Sequence, residues 1–400
     1  MIIDAKNLNA ISKISIAIDA SRSRSGGAKA HLLGILEHCD TIRYGISEVH
    51  LWSYKSLMNS IPDYPWLVKH ACIQLEMCLL RQLIWQGTSL SNEIKKAKCD
   101  ILFTSDASSL CRFKPLIVLS QDLLSYEPGI MRLFGYSKRR IRLLTILLVQ
   151  NRSFRFADGV IFLTNHASKI IQQSCGLLNR VAIISHGVGR NFKNRQAIND
   201  LTINYNNEIH CLYISNAALY KHQWVVVKAM DNLRKIGYNI SLKLVGGGNG
   251  KAQQLLDKQL SISDPHRSFV HQMDFIPQKE LPELLARSDV FVFASGCEAF
   301  GITLLEAMSM GLPIACSNRS SLPETLLDGG VYFDPEDADS IADAVEQIIR
   351  DPELRERISK RAKTISDQYS WQRCGNETWE FIADTYRSIK HEKEKLSNMF

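Results

Sequence analysis

The feature that most constrains this chain is an alternation of buried strands and amphipathic helices that runs through it twice and is broken once by a polar stretch. ISKISIAID (residues 11–19) reads as a buried strand, followed by the loop ASRSRSGGAKA and an amphipathic helix starting near His31. SEVHLWSY, CDILFTS, PLIVLSQ, GVIFLTN and RVAIISH continue the strands, with helical patterns between several of them. Near-continuous apolar strands separated by helices predict a parallel sheet covered on both faces. Residues 187–208, GVGRNFKNRQAINDLTINYNNE, are polar, Asn-rich and without period, and read as a linker. A second series then runs from IHCLYIS through SLKLVGG, SFVHQMDF, DVFVFAS, LPIACS and GGVYFDP to the helix DADSIADAVEQIIRD. The expected organisation is an N-terminal Rossmann-like domain over 1–186, a linker over 187–208 and a second such domain over 209–370. Residues 371–400 form a helix that returns to the first domain, with Trp371, Trp379 and Tyr386 as anchors. Two doubly wound halves facing a cleft would offer it the carboxyl ends of their strands, where such sheets bind ligands.

The 400 residues exceed one ordinary core, which agrees with two domains. Charge is divided unevenly. Residues 1–200 hold 26 Lys and Arg against 14 Asp and Glu, whereas residues 201–400 hold 22 against 27. A basic first half suits nucleic acid, an anionic membrane surface or a phosphorylated substrate, and also suits a few solvated helix faces. The ten cysteines show no Cys-x-x-Cys pair and no zinc spacing, and most lie in apolar runs, as reduced thiols of a cytosolic protein would. The N-terminus lacks the charged start and apolar core of a secretion signal, and no apolar run reaches the ~18 residues of a membrane span.

The segment ASGCEAFGITLLEAMSMGLPIACS carries the most chemical information. Glu298 falls in the loop after a strand, and Glu306 falls on the helix that follows. The peptides of Phe300, Gly301 and Ile302 stand at that helix's N-terminus, where unpaired N–H groups and the helix dipole favour an anion. Two carboxylates beside such a point match the paired hydroxyls of a sugar or ribose. An isolated Glu-x7-Glu would be an ordinary surface coincidence; the longer string is not.

That string resembles the donor-site signature of the retaining GT-B glycosyltransferases of family four (glycosyl transferases group 1). The resemblance covers the C-terminal half well and the N-terminal half loosely, through Gly26–Gly27, PLIVLSQDLL and FADGVIFLTNHASKII. It implies that Glu298 contacts the transferred sugar and that Phe300, Gly301, Ile302 and Thr303 contact sugar or diphosphate. It also implies that Glu306 holds the ribose hydroxyls. In YISNAALYKHQ, Lys221 stands where the family's phosphate lysine is expected, and Asn216 where its arginine partner would align. A neutral amide is the weaker phosphate partner. Gly26 and Gly27 resemble the family's glycine loop, with Arg22, Arg24 and Lys29 adding charge. Where many members have a His, this chain has Gln121 and Asp122. Gln121 cannot be a base; Asp122 is left as either an acceptor-positioning carboxylate or a cap. His186 is left as either a donor or acceptor contact or a structural residue.

The resemblance implies metal-independent hexosyl transfer with retention, from a UDP- or GDP-sugar to a glycan or lipid-linked glycan in bacterial O-antigen or capsule synthesis. No His/Cys cluster speaks for a metal, and no metal and no cofactor beyond the nucleotide-sugar substrate are expected. The run SKRRIRLLTILLVQ (137–150) suits either a core helix with a solvated first turn or a helix lying on an anionic membrane. The expected location is the cytoplasm, including the cytoplasmic face of the inner membrane. Three rivals stand beside this reading. A phosphorylase or epimerase would use a similar scaffold. A degenerate transferase, suggested by Asn216 and Gln121, would bind without turnover. A non-catalytic nucleic-acid binder would interleave aromatic and basic residues, whereas the basic segments here are flanked mainly by Leu and Ile.

Overall fold

In the computed structural model, which describes residues 13–24, 26–193 and 207–398, the apolar runs form two all-parallel sheets. The first contains β1 (Ile14–Asp19), β2 (Ile46–Ser53), β3 (Leu67–Ala71), β4 (Ile101–Thr104), β5 (Leu116–Ser120), β6 (Gly159–Phe162) and β7 (Val181–Ile183), in the order β3-β2-β1-β4-β5-β6-β7. The second contains β8 (Ile209–Ile214), β9 (Ile240–Val245), β10 (Val270–Met273), β11 (Val290–Phe293), β12 (Ile314–Ser317) and β13 (Val331–Phe333), in the order β10-β9-β8-β11-β12-β13. Central strands such as β4, β5, β11 and β12 are buried throughout, as sheets covered by helices on both faces require. β3 is the strand without a counterpart among the expected ones. It lies at the sheet edge, is partly exposed and contains Lys69 and His70, so its apolar pattern is weak.

In both sheets the strand order reverses once, between β1 and β4 in the first and between β8 and β11 in the second. The loops after those strands diverge and leave a crevice at the sheet's carboxyl edge. The described residues of 1–121, 142–187 and 371–400 form one compact unit, and those of 122–141 and 188–370 form another. Residues 122–141 therefore group with the second unit, although they follow β5 in the chain. Of the expected linker, 194–206 lies outside the described residues. Its start contains a short helix, Arg190–Lys193, with Phe192 buried, and Val188 pairs with Ser370.

The helix Trp371–Ser397 packs on the first unit through Cys374, Gly375, Thr378, Trp379, Ile382 and Ala383, which recur every three or four residues. The Trp379 indole N–H donates to Ile35 O at 2.8 Å, and the Tyr386 hydroxyl to Asp100 Oδ1 at 3.1 Å. Helix starts follow their capping residues. Thr164 Oγ1 accepts from Ala167 N before Asn165–Cys175, and Asp351 accepts from Leu354 N before Pro352–Ser366. All ten cysteines are free thiols. No helix among the described residues is long and apolar enough to cross a membrane.

Candidate active site

The loops after β8 and β11 meet at the second sheet's reversal point, and each contributes one charge. Lys221 lies in a 3-10 turn (Leu219–Lys221) after β8, and Glu298 in the loop after β11. Their side chains form an ion pair through Nζ and Oε1, with only 11% and 17% of each side chain exposed. Lys221 Nζ also lies 5.3 Å from the Tyr220 ring and 5.5 Å from that of Phe293, and its carbonyl accepts from the Tyr213 hydroxyl at 2.7 Å. The Gly296 N–H donates to Tyr220 O at 2.7 Å, tying one loop to the other. Asn216, earlier in the loop after β8, is exposed.

The loop after β11 runs into the helix Ile302–Ser309 through Gly301, whose φ of +89° is a left-handed conformation that glycine adopts without a Cβ penalty. No side chain caps this helix, so its first amides, including those of Ile302 and Thr303, have no intrahelical acceptor and point outward. Ile302 and Thr303 are half-buried. Phe300 is buried against Tyr369, with ring centroids 5.5 Å apart, and its carbonyl accepts from Thr325 Oγ1 at 3.0 Å. Phe300 is thus a structural plug, and its side chain does not face a ligand-accessible edge.

Glu306 is buried on the same helix, with Gln278 Nε2 donating to its Oε1 at 2.9 Å. Burial raises its carboxyl pKa to about 7, against a smaller lowering by the Gln278 hydrogen bond. Phe275, three residues before Gln278, is 79% exposed. Lys221, Glu298, the helix start at Gly301–Thr303 and Glu306 thus belong to one edge of one sheet. Among the described residues no group of three or more His, Cys, Asp or Glu is arranged to hold a metal ion.

The N-terminal candidates have other surroundings. Gly26 and Gly27 are not a turn before a helix that begins near His31. The helix is Gly26–Glu37, and Gly26, at φ +57°, opens it. A helix can start there because glycine tolerates that first angle and Ala28, Ala30 and His31 continue the pattern. The flanking arginines are engaged: Arg22 Nε lies 3.4 Å from Asp106 Oδ2, while Arg24 donates to Leu75 O and covers the Tyr54 ring at 4.4 Å. His186 is buried 5.3 Å from the His31 ring and 5.6 Å from that of Trp371, and burial holds its pKa well below the usual imidazole value. Asp122 is exposed and its Oδ1 accepts from Leu124 N at 2.9 Å. It thus caps a turn; no helix begins there. Gln121 Nε2 donates to Ser105 O at 2.9 Å.

Several residues that shape the site have no motif to announce them. Ser320 and Ser321 bracket the backbone of Glu298. The Glu298 N–H donates to Ser320 Oγ at 3.1 Å, and the Ser321 hydroxyl donates to Glu298 O at 2.8 Å. Ser321 occupies the cap position of the helix Leu322–Leu326 without capping it through its side chain. A serine before a helix reads as a cap, and only the fold reveals the other partner. Asp19, the last residue of β1, is fully buried. It accepts from Ser21 N (3.1 Å), Gln86 Nε2 (2.8 Å) and Ser109 Oγ (3.1 Å), and burial raises its pKa.

Residues 195–365 match the family model described as glycosyl transferases group 1. Over 120 residues the chain is 37% identical to the O-antigen chain mannosyltransferase B of Escherichia coli, covering 30% of this chain and 32% of that protein. Over 181 residues it is 28% identical to the alpha-D-kanosaminyltransferase of Streptomyces kanamyceticus, covering 44% and 45% respectively. The chain thus spans less than half the length of these curated relatives. Sucrose-phosphate synthase from Thermosynechococcus elongatus superimposes with a TM-score of 0.75 at 18% identity, over 95% of this chain and 100% of that one. Anabaena HepE, solved in complex with UDP and glucose, gives 0.68 at 18% identity over 92% and 98%. The two parallel sheets of seven and six strands are those of the GT-B fold class.

Proposed function

We propose, for a chain whose residues 195–365 belong to the glycosyl transferases group 1, that it moves a hexose from a nucleotide-diphosphate sugar to a hydroxyl of a glycan acceptor with retention of configuration. The observation that carries this reading is the Lys221–Glu298 pair at the reversal point of the second sheet, beside an uncapped helix start. We assign the diphosphate to Lys221 and to the amides of Gly301–Thr303, the transferred sugar to Glu298, and the ribose to Glu306. In the transfer, the bond from the anomeric carbon to the leaving phosphate oxygen breaks as the bond to the acceptor oxygen forms on the same face. The acceptor proton passes to the leaving oxygen, so no strong protein base is needed. Lys221 and the helix amides stabilise the charge that grows on the leaving group. Glu298, while paired with Lys221, keeps that ammonium desolvated and in place. Asn216 contributes an uncharged donor to the phosphates.

A UDP-linked donor is supported by the UDP bound in the HepE structure, and a mannose donor by the O-antigen chain mannosyltransferase relative. No metal is assigned a role, and activity is expected to survive EDTA. The test is a panel of UDP- and GDP-sugars scored for hydrolysis and for thermal stabilisation of the chain. One donor should stabilise the wild type and lose that effect in Glu306→Ala. A donor that stabilises without any hydrolysis or transfer would favour a degenerate binder, and no response to any donor would remove the transferase reading.

One observation favours an acceptor held at an anionic membrane. The helix Lys138–Phe156 exposes Ile141, Leu144 and Leu148 along one face and begins with Lys138, Arg139, Arg140 and Arg142. Residues 128–157 contain no acid. Apolar side chains beside a run of positive charge suit a bilayer with anionic headgroups. Flotation with phosphatidylglycerol vesicles should capture the chain at low salt and lose it in Leu144→Ser/Leu148→Ser; equal capture by phosphatidylcholine alone would remove the electrostatic part.

A further inference from the structure

Ser320 holds a left-handed backbone, φ +58°, a conformation that costs a residue with a Cβ and that glycine would take freely. Strain of this kind persists where the surroundings require it. Here the surroundings are the loop that carries Glu298. Ser320 Oγ accepts the Glu298 N–H at 3.1 Å and lies 2.6 Å from Glu127 Oε2 and 3.0 Å from Glu298 O. A hydroxyl has one proton to donate. The closer, charged carboxylate of Glu127 takes it, which turns the lone pairs toward Glu298 N. The Glu298 carbonyl is already served by Ser321 at 2.8 Å. Glu127 belongs to residues 122–141, the stretch that leaves the first sheet after β5 and groups with the second unit.

We infer that Ser320, oriented by Glu127, is a positioning residue for transfer: it clamps the peptide of Glu298 so that the carboxylate meets the sugar in one orientation. This rests on the assignment of Glu298 to the transferred sugar. The serine's hydroxyl is worth keeping at a strained position because a glycine would fit the turn but leave the Glu298 amide without its acceptor. Misplacement of a group that contacts the reacting sugar by a fraction of an ångström to an ångström lowers turnover by roughly ten- to a hundredfold.

The experiment compares Ser320→Gly, Ser320→Ala, Glu127→Gln and Glu127→Leu. Hydrogen exchange of residues 295–301 is read in the free protein, and kcat and donor KM are measured with UDP-glucose and GDP-mannose. Both Ser320 variants should lose protection at the Glu298 amide and lose kcat by more than KM rises. Their stabilities should move apart: both lose the hydroxyl's bonds, but Ser320→Gly should melt above Ser320→Ala because its left-handed strain is relieved. Glu127→Gln, which keeps an acceptor oxygen, should restore kcat relative to Glu127→Leu. Unchanged exchange in Ser320→Ala, or a Ser320→Gly enzyme with wild-type kcat, would overturn the clamp. Failure of the underlying reading looks different: the exchange arm still reports the clamp, while Glu298→Gln turns over like wild type or the wild type turns over neither donor.

Discussion

The two sheets reverse their strand order at equivalent points, yet the loops there are built differently. At β1/β4 the buried acid and the two arginines are taken up by the protein itself. Asp19 is fully buried among Ser21, Gln86 and Ser109, Ser23 bonds Ser105 at 2.9 Å, and Arg22 and Arg24 are taken by Asp106, Leu75 O and the Tyr54 ring. At β8/β11 the loops instead hold a nearly buried ion pair, a helix start with uncapped amides and a second buried carboxylate. A basic loop is therefore not the same as an anion site. The arginines around Gly26 have partners that hold the loop, whereas Lys221 is balanced by a single carboxylate, beside which the proposed donor diphosphate would sit.

The sharpest way to break this comparison is Lys221→Met. Turnover should fall by about two to three orders of magnitude. The chain should also lose roughly 3 kcal/mol of stability, because Glu298 is left buried without its partner. Adding Glu298→Gln should recover stability without recovering turnover; recovery of both would show that the pair is only structural. Next in size, Asp19→Ala should cost about 2 kcal/mol by orphaning three donors, measured as urea unfolding of the chain, while donor thermal shift per unit concentration stays as in wild type. A lost donor response in a folded Asp19→Ala protein would mean that the first reversal point also binds the donor.

Glu306 sharpens the contrast through pH. Its carboxyl is raised from 4.5 to about 7 by burial, so the folded state binds a proton that the unfolded state has released between those values. Stability without donor should therefore fall as pH rises from about 4.5 through 7, and Glu306→Gln should remove that slope. Ribose hydroxyls are better accepted by the ionised form. Donor affinity should thus be about tenfold weaker at pH 6 than at pH 8, with a midpoint near 7 that Glu306→Gln abolishes. The smallest effect expected is a gain. Asn216→Arg restores the second charge that the resemblance implies and should lower donor KM about fivefold, roughly 1 kcal/mol. An unchanged KM would show that this exposed position does not face the phosphates.

The parts legible in the chain were those encoded over a few neighbouring residues. Strands such as β5 and β11 stand out because a parallel strand buried on both faces must be apolar throughout. Glu298, Gly301 and Glu306 stand out because a strand, a glycine and a helix follow one another within one short stretch. β3 did not stand out, since an edge strand need not be apolar, and the Gly26 helix start did not, since two glycines read more readily as a turn.

What the amino-acid sequence determined by itself, then, was the alternation, the two sheets it implies and the glutamate-bearing loop and helix, because strand and helix periodicity are short-range properties. Only the tertiary structure decided that Lys221 reaches a carboxylate 77 residues away, that Ser321 serves Glu298 and not its own helix, that Glu127 meets Ser320 across 193 residues, and that the arginines near Gly26 are occupied. Those pairings depend on which loops the strand order brings to the same edge, and on burial that favours paired polar groups, neither of which any short stretch of sequence contains.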